Sequence, residues 1–216
     1  TLSAVTDPAR TNRASALLGK LKTGRSNDAM WSGIGTLAGA VLILGSLANL
    51  TVILSLEELG VYTGVVSAGA VLLGFAVFGS PEAMLLGLPR SSDIGANWGR
   101  ALGTTMLAAG VCFAIIMGAT RIILPDVSRT LIAMLVAGDY VIGGSASVNT
   151  QLMRGIGNFK SAAMLSVVTA AMRLVAAAAL FLVDDPSLEE YAVVNLVLAV
   201  VAAVAITGYL ARLVGR

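Results

Sequence analysis

Of 216 residues, 57% are hydrophobic and 12% charged, with a mean hydropathy of +0.89 and a formal net charge of +2. A soluble domain carries roughly 25% charged residues, so this chain cannot cover itself with polar surface in water and reads as an integral membrane protein. It has no histidine and one cysteine, Cys112, which excludes His-based triads, imidazole relays, His metal sites and any disulfide within the chain.

The chain opens on Thr1 rather than Met, as expected of a polypeptide processed or cut from something longer. Residues 1–29 form a polar, basic segment with Arg10, Arg13, Lys20, Lys22 and Arg25, expected to be cytoplasmic. Within it, "ASALLGKLK" (Ala14–Lys22) fits one or two turns of basic amphipathic helix, or equally a disordered tail. The uncharged stretch Ala29–Leu56 is too long for the 7–15-residue apolar core of a signal peptide and is expected to be an anchor.

A spanning helix needs about 20 apolar residues, and residues 30–216 contain six such segments. They are Trp31–Leu54; Gly60–Leu88, interrupted by Pro81-Glu82; Ala101–Thr120; Thr130–Met153, broken by Asp139; Ser161–Val183, broken by Arg173; and Tyr191–Ala211. Barrel strands are shorter and alternate, so the expected fold is all-α, a polytopic bundle of six transmembrane helices. Short connections make sequential helices antiparallel neighbours.

Arg10, Arg13, Lys20, Lys22, Arg25, Arg90, Arg100, Arg154, Lys160, Arg212 and Arg216 fall on one side of such a bundle, against Arg121 and Arg129 on the other. The basic side is expected to be cytoplasmic, with both termini. Trp31, Trp98, Tyr62 and Tyr191 start spans and are expected to be interfacial anchors. Gly35/Gly39, Gly60/Gly64 and Gly95/Gly99/Gly103 have the spacing at which helices approach closely, expected mainly within one chain.

Glu82, Asp139 and Arg173 fall inside spans, where each charge costs about 2.5–3.5 kcal/mol on insertion scales. Asp139 and Arg173 are equidistant from the turn Gln151–Lys160. In an antiparallel hairpin they reach equal depth, roughly 15–20 Å from the basic boundary at 1.5 Å per residue. They are expected to pair directly or through water, either as a structural tie or as part of a polar cavity. Glu82 either reaches for the interface or joins that cavity. Ser145, Ser147, Asn149, Thr150 and Gln151 either line a vestibule or bond back to their own helix.

"RGIGNFK" lacks the third glycine, the GK[ST] and the preceding strand of a nucleotide loop. "GGSAS" (143–147) has no histidine to serve as base. No catalytic constellation, metal site or cofactor is expected, and nothing calls for a nucleic-acid partner.

Two stretches carry a resemblance. "LEELGVYTGVVSAGAVLLGFAVFGSPEAMLL" (Leu56–Leu86) is similar to the second-helix region of polysaccharide-biosynthesis flippases. "TQLMRGIGNFKSAAMLSVVTAAMRL" (Thr150–Leu174) resembles the turn after their fourth helix. These belong to the multidrug/oligosaccharidyl-lipid/polysaccharide exporter superfamily, usually built from two six-helix lobes. The resemblance implies an N-terminal lobe in a prokaryotic plasma membrane. It further implies translocation, by alternating access, of a polyprenyl-diphosphate-linked oligosaccharide from the inner to the outer leaflet. Membrane lipid and a second lobe, or a second copy of this chain, are the implied partners. Asp139, Arg173, Glu82, Asn149 and Gln151 are then the candidate cavity residues, with Arg90 and Arg100 at its mouth. The first span carries no cation, so two alternatives stand beside this reading. One is a cation-coupled exporter of the same superfamily that uses Asp139; the other is a structural six-span protein.

Overall fold

The computed structural model describes residues 8–77, 83–84 and 93–214, with no account of the side chains of residues 8–26, 76, 141–142 and 214. Six helices follow one another: α1 Pro8–Ile53, α2 Leu56–Val77, α3 Ile94–Ile123, α4 Arg129–Gly155, α5 Phe159–Ala179 and α6 Leu188–Val214. A 3-10 turn, Leu180–Leu182, extends α5. The described residues contain no strand. All six helices are long and apolar enough to cross a membrane, so the chain is an all-α, six-helix integral membrane protein. Glu82, Pro81 and Arg90 lie outside the described residues.

Local chemistry sets the helix boundaries. The tetrapeptide Ser-Leu-Glu-Glu occurs twice, at Ser55–Glu58 and Ser187–Glu190, each time opening an apolar helix. Both copies form capping boxes. The Ser55 amide donates to Glu58 Oε2 (3.1 Å) and the Glu58 amide to Ser55 Oγ (3.3 Å). Ser187 and Glu190 repeat the exchange at 3.1 and 3.4 Å. Glu58 also accepts from the Leu188 amide at 3.1 Å, which fastens the start of α2 to the start of α6. At the opposite end, Asp93 Oδ1 accepts from the Ala96 amide at 2.9 Å and starts α3 at Ile94. The third helix therefore begins seven residues before the expected Ala101. Its first turns are polar, but a capped helix end needs no apolar residues to form.

The turn between α4 and α5 is residues 156–158. Gly157, at φ +78°, supplies the left-handed conformation that glycine adopts without a Cβ penalty, and Asn158 caps α5 through the Ser161 amide (3.1 Å).

More than half of the α4 span is buried (56%), against 11–22% for the other five. α4 is thus the axis of the bundle, packed against α2, α3, α5 and α6. α1 makes its main contact with α5 and touches little else. That contact depends on small residues. A Cβ built on Gly35 lies 2.8 Å from Ala163 Cα, and one on Gly39 lies 4.0 Å from Ala170. The Gly60/Gly64 and Gly99/Gly103 spacings do not work this way, since a Cβ at any of the four meets nothing within 4 Å.

Two apolar clusters divide the interior by depth. One, towards the acidic end, gathers Leu50, Val65, Ile132, Leu135, Val136, Ala176 and Tyr191. The other, towards the basic end, gathers Met84, Trp98, Val148, Leu152, Ala162 and Leu210. Trp98, Tyr62 and Tyr191 belong to these clusters, at 7%, 9% and 1% exposure. Contrary to the expectation of lipid-facing anchors, they are interior residues. Trp31 is half-buried under the Lys160 ammonium, 5.5 Å from the ring centroid, which pins α1 to α5 at the basic end.

A Cβ at Gly35 collides with backbone, so Gly35→Ala is expected to lower the apparent melting temperature in detergent. Overpacking costs about 1–3 kcal/mol. Gly99→Ala and Gly103→Ala, with open space at the Cβ, serve as controls and should melt as the parent does.

Candidate functional site

Asp139 and Arg173 meet: Arg173 Nη2 lies 2.6 Å from Asp139 Oδ1, with the side chains 21% and 13% exposed respectively. Counted from the basic end, Arg173 is fourteen residues into α5 and Asp139 sixteen residues from the end of α4. At 1.5 Å per residue that is about 21 and 24 Å. The pair is therefore deeper than the expected 15–20 Å, because both helices run further into the turn than Gln151–Lys160 implied.

Three helices contribute to the pair's surroundings. Ser46 of α1 donates its hydroxyl to the Arg173 carbonyl at 3.1 Å. Tyr62 of α2 and Tyr191 of α6 stack edge to face, with ring centroids 5.5 Å apart at 85°. Both phenols lie within electrostatic range of the two charges. By helix position the aromatic pair lies nearer the acidic end than the ion pair does.

On the basic-end side a groove opens, mainly apolar in surface with polar groups set along it. It has a volume of about 510 Å³ and lies between α1, α4 and α5. α1 contributes the small residues Gly35, Thr36, Gly39 and Ala40, and Ile43. α4 contributes Gly143, Ala146, Ser147, Thr150, Gln151 and Arg154. α5 contributes Ser166, Thr169, Ala170 and Arg173. The α4 residues recur at three- and four-residue spacing, which puts them on one face of the helix. Asp139 continues that face one turn beyond Gly143. The groove thus has a guanidinium at each end, Arg154 near the turn and Arg173 at depth. Several of its hydroxyls are turned back on their own helices: Thr36 to the Ser32 carbonyl (3.0 Å), Ser166 to Ala162 (3.2 Å) and Thr169 to Leu165 (3.1 Å).

The sequence candidates therefore separate. Arg173 and Gln151 line the groove, and Asp139 stands behind its deep end holding Arg173. Asn149 does not line it. This residue is 1% exposed, accepts from the Trp98 indole at 3.0 Å and donates to Thr207 Oγ1 at 3.3 Å. It ties α3, α4 and α6 on the side of α4 away from the groove. Arg100 is exposed on α3 and is not part of the groove wall; the cation at the mouth is Arg154. Glu82 and Arg90 lie outside the described residues. Ser147 and Thr150, two of the expected vestibule residues, line the groove, and Arg154 and the α1 glycines are groove residues that the sequence reading left out of the site. The helical face that Arg154 shares with Asp139 was the signal for Arg154.

Among the described residues, no three His, Cys, Asp or Glu side chains converge as metal ligands. Two buried polar atoms there have no hydrogen-bond partner, Tyr140 Oη and Asn195 Oδ1. No protein-family model, curated protein or solved structure matches the chain.

Removing one member of a buried pair strands the other charge, at about 3 kcal/mol or more. Arg173→Leu and Asp139→Leu should each lower the melting temperature, and the double variant should recover most of the loss. Asn149→Ala breaks two buried hydrogen bonds and should cost about 1–3 kcal/mol. Gln151→Ala, at the groove wall, should stay within about 0.5 kcal/mol of the parent. Thermal unfolding of the five variants in one detergent checks the set.

Proposed function

We propose that this chain is one six-helix lobe of a membrane flippase that carries the head group of a lipid-linked oligosaccharide across a prokaryotic plasma membrane. The observation that carries this reading is the groove. It carries a row of polar groups along a mainly apolar wall, runs from the basic end past Gln151 and Thr150 to Arg173, and has room for part of a sugar-phosphate head group. A charged head group cannot cross about 30 Å of hydrocarbon unaided. A hydrated groove entered from one leaflet removes most of that cost, while the lipid tail stays in the bilayer. The resemblance of Leu56–Leu86 and Thr150–Leu174 to polysaccharide flippases points the same way.

In this reading the basic end is cytoplasmic, by the bias of arginine and lysine towards it, and the groove loads from the inner leaflet. Arg154 meets the diphosphate at the mouth and Arg173 receives it at depth. Gln151, Ser147 and Thr150 offer hydrogen bonds to sugar hydroxyls. A second six-helix body, in the same polypeptide or as a second copy, covers the open side of the groove. Alternating exposure between the two bodies moves the head group across. A cation-coupled exporter would want an acidic residue facing the groove. Asp139 instead faces Arg173, which favours an anionic cargo.

Two experiments test this. Cys112 is buried, so in a Cys112→Ser background a new cysteine reports orientation. Asn158→Cys should react with an impermeant maleimide only after cells are opened, and Asp185→Cys in intact cells; the reverse pattern would invert the topology. In proteoliposomes carrying a fluorescent polyprenyl-diphosphate oligosaccharide, Gly39→Phe and Ser147→Phe fill the groove. Both should reduce translocation to the protein-free rate. Translocation at the parent rate in both would sink the groove as the pathway.

A further inference from the structure

Arg173 faces two ways. It lines the deep end of the groove and also holds Asp139 from behind, through Nη2 and Oδ1 at 2.6 Å. A guanidinium offers five N–H donors in a planar fork, so one carboxylate cannot exhaust it. A carboxylate and a phosphate oxygen nevertheless compete for the same positive charge and the same donors. We propose that Asp139 is a resident competitor. It occupies Arg173 when the groove is empty, and an anionic phosphate-bearing head group must displace it, wholly or in part, to bind at depth. This rests on the reading of the groove as a head-group path and adds to it a gate on occupancy.

Three features of the structure favour an exchange over a fixed tie. The first is position. Asp139 continues the groove-lining face of α4 one turn beyond Gly143, so an anion advancing along the groove meets Arg173 with Asp139 directly behind. The second is the supply of donors. The hydroxyls of Thr36, Ser166 and Thr169 are spent on carbonyls of their own helices, which leaves Arg173 as the strong donor at depth. The third is the anchoring of Arg173. Its backbone is held by Ser46 through its carbonyl, independently of Asp139, so the arginine stays at the groove when the carboxylate lets go. Tyr62 and Tyr191 lie within electrostatic range of the carboxylate, from α2 and α6. Tyr140, its neighbour on α4, carries a buried hydroxyl without a partner.

The exchange couples cargo to shape. α1 and α5 form the most extensive helix pair, α4 is packed into α2, α3 and α6, and α5 rests on both α4 and α6. The Asp139–Arg173 bond is a polar tie within the contact of α5 with α4. An anion that takes Arg173 also loosens the tie between them, so binding and the movement of α1–α5 against the rest become one event.

The test is binding of farnesyl diphosphate, a short prenyl diphosphate, to the purified chain in lipid nanodiscs, read by calorimetry. Arg173→Gln should weaken binding roughly tenfold, as loss of a charge-assisted hydrogen bond does. Asp139→Asn should tighten it roughly tenfold, because the competitor's hold on the competent state is removed. Asp139→Glu, which keeps the charge, should bind within about twofold of the parent on the same argument. If Arg173→Gln binds as the parent does, both the groove reading and the exchange fall. If Arg173→Gln weakens binding while Asp139→Asn leaves it unchanged or weaker, the groove reading stands and the exchange is overturned. Should Asp139→Asn fail to fold, the parent chain labelled with 13C at aspartate carboxyls decides. Addition of the probe should shift one buried carboxylate stretch in the infrared difference spectrum, and an unshifted spectrum overturns the exchange.

Discussion

Everything in this bundle is arranged around one costly bond. A carboxylate and a guanidinium sit more than 20 Å from the basic end by helix rise, inside the membrane-spanning length of their helices. Each alone is expensive there, and together they are tolerable only if the geometry is good and the remaining donors and acceptors are met. The bundle meets that condition from several helices. α4 supplies the acid and α5 the base, α1 holds the base's backbone through Ser46, and α2 and α6 place an edge-to-face tyrosine pair towards the acidic end. The central place of α4 follows. It carries the acid, so it cannot face lipid, and its span is the most buried of the six.

The polar residues of α4 have two jobs, separated by helical phase. On one face, Ser147, Thr150, Gln151 and Arg154 line the groove that leads to Arg173. On another, Asn149 is locked between the Trp98 indole and Thr207. Within a membrane an amide left without partners costs several kcal/mol. Asn149, bonded through both its oxygen and its nitrogen, therefore ties α3, α4 and α6 together on the side of α4 away from the groove. The residue that makes this tie, Asn149, is the immediate sequence neighbour of a residue that touches the groove, Thr150.

Most of the architecture was legible in the sequence because the bilayer allows few solutions. Runs of about 20 apolar residues can be little other than spanning helices, and equal spacing from a short turn put Asp139 opposite Arg173. What was not legible depended on direction around the helix. Trp98, Tyr62 and Tyr191 stand where interfacial anchors stand, yet face inward; span position gives depth and not azimuth. Asn149 was grouped with Gln151 by proximity in sequence, although two residues turn a helix by about 200°. The glycine repeats share one spacing, yet of Gly35/Gly39, Gly60/Gly64 and Gly99/Gly103 only Gly35/Gly39 faces a helix of small residues. The doubled Ser-Leu-Glu-Glu was plain to read and has a known mechanical meaning.

The packing pattern also says where the bundle can move. Small residues let α1 lie so close to α5 that Gly35 has no room for a Cβ, and Lys160 over Trp31 joins the two again at the basic end. α1 has little other contact, so it goes where α5 goes. α2 and α6 are joined at the acidic end by the Glu58 bond to the Leu188 amide, and α3, α4 and α6 by Asn149. α5 also rests on α4 and α6, and the groove lies along the seam where the α1–α5 pair meets α4, walled by α1 and α5 on one side and α4 on the other. A seam bridged by apolar contact resists sliding weakly, since side chains in lipid lose little hydrophobic energy when they exchange partners. A charge pair across the seam resists strongly and in an all-or-none way. The width of the groove is therefore governed at its deep end, by the same two residues whose burial the rest of the fold is built to support.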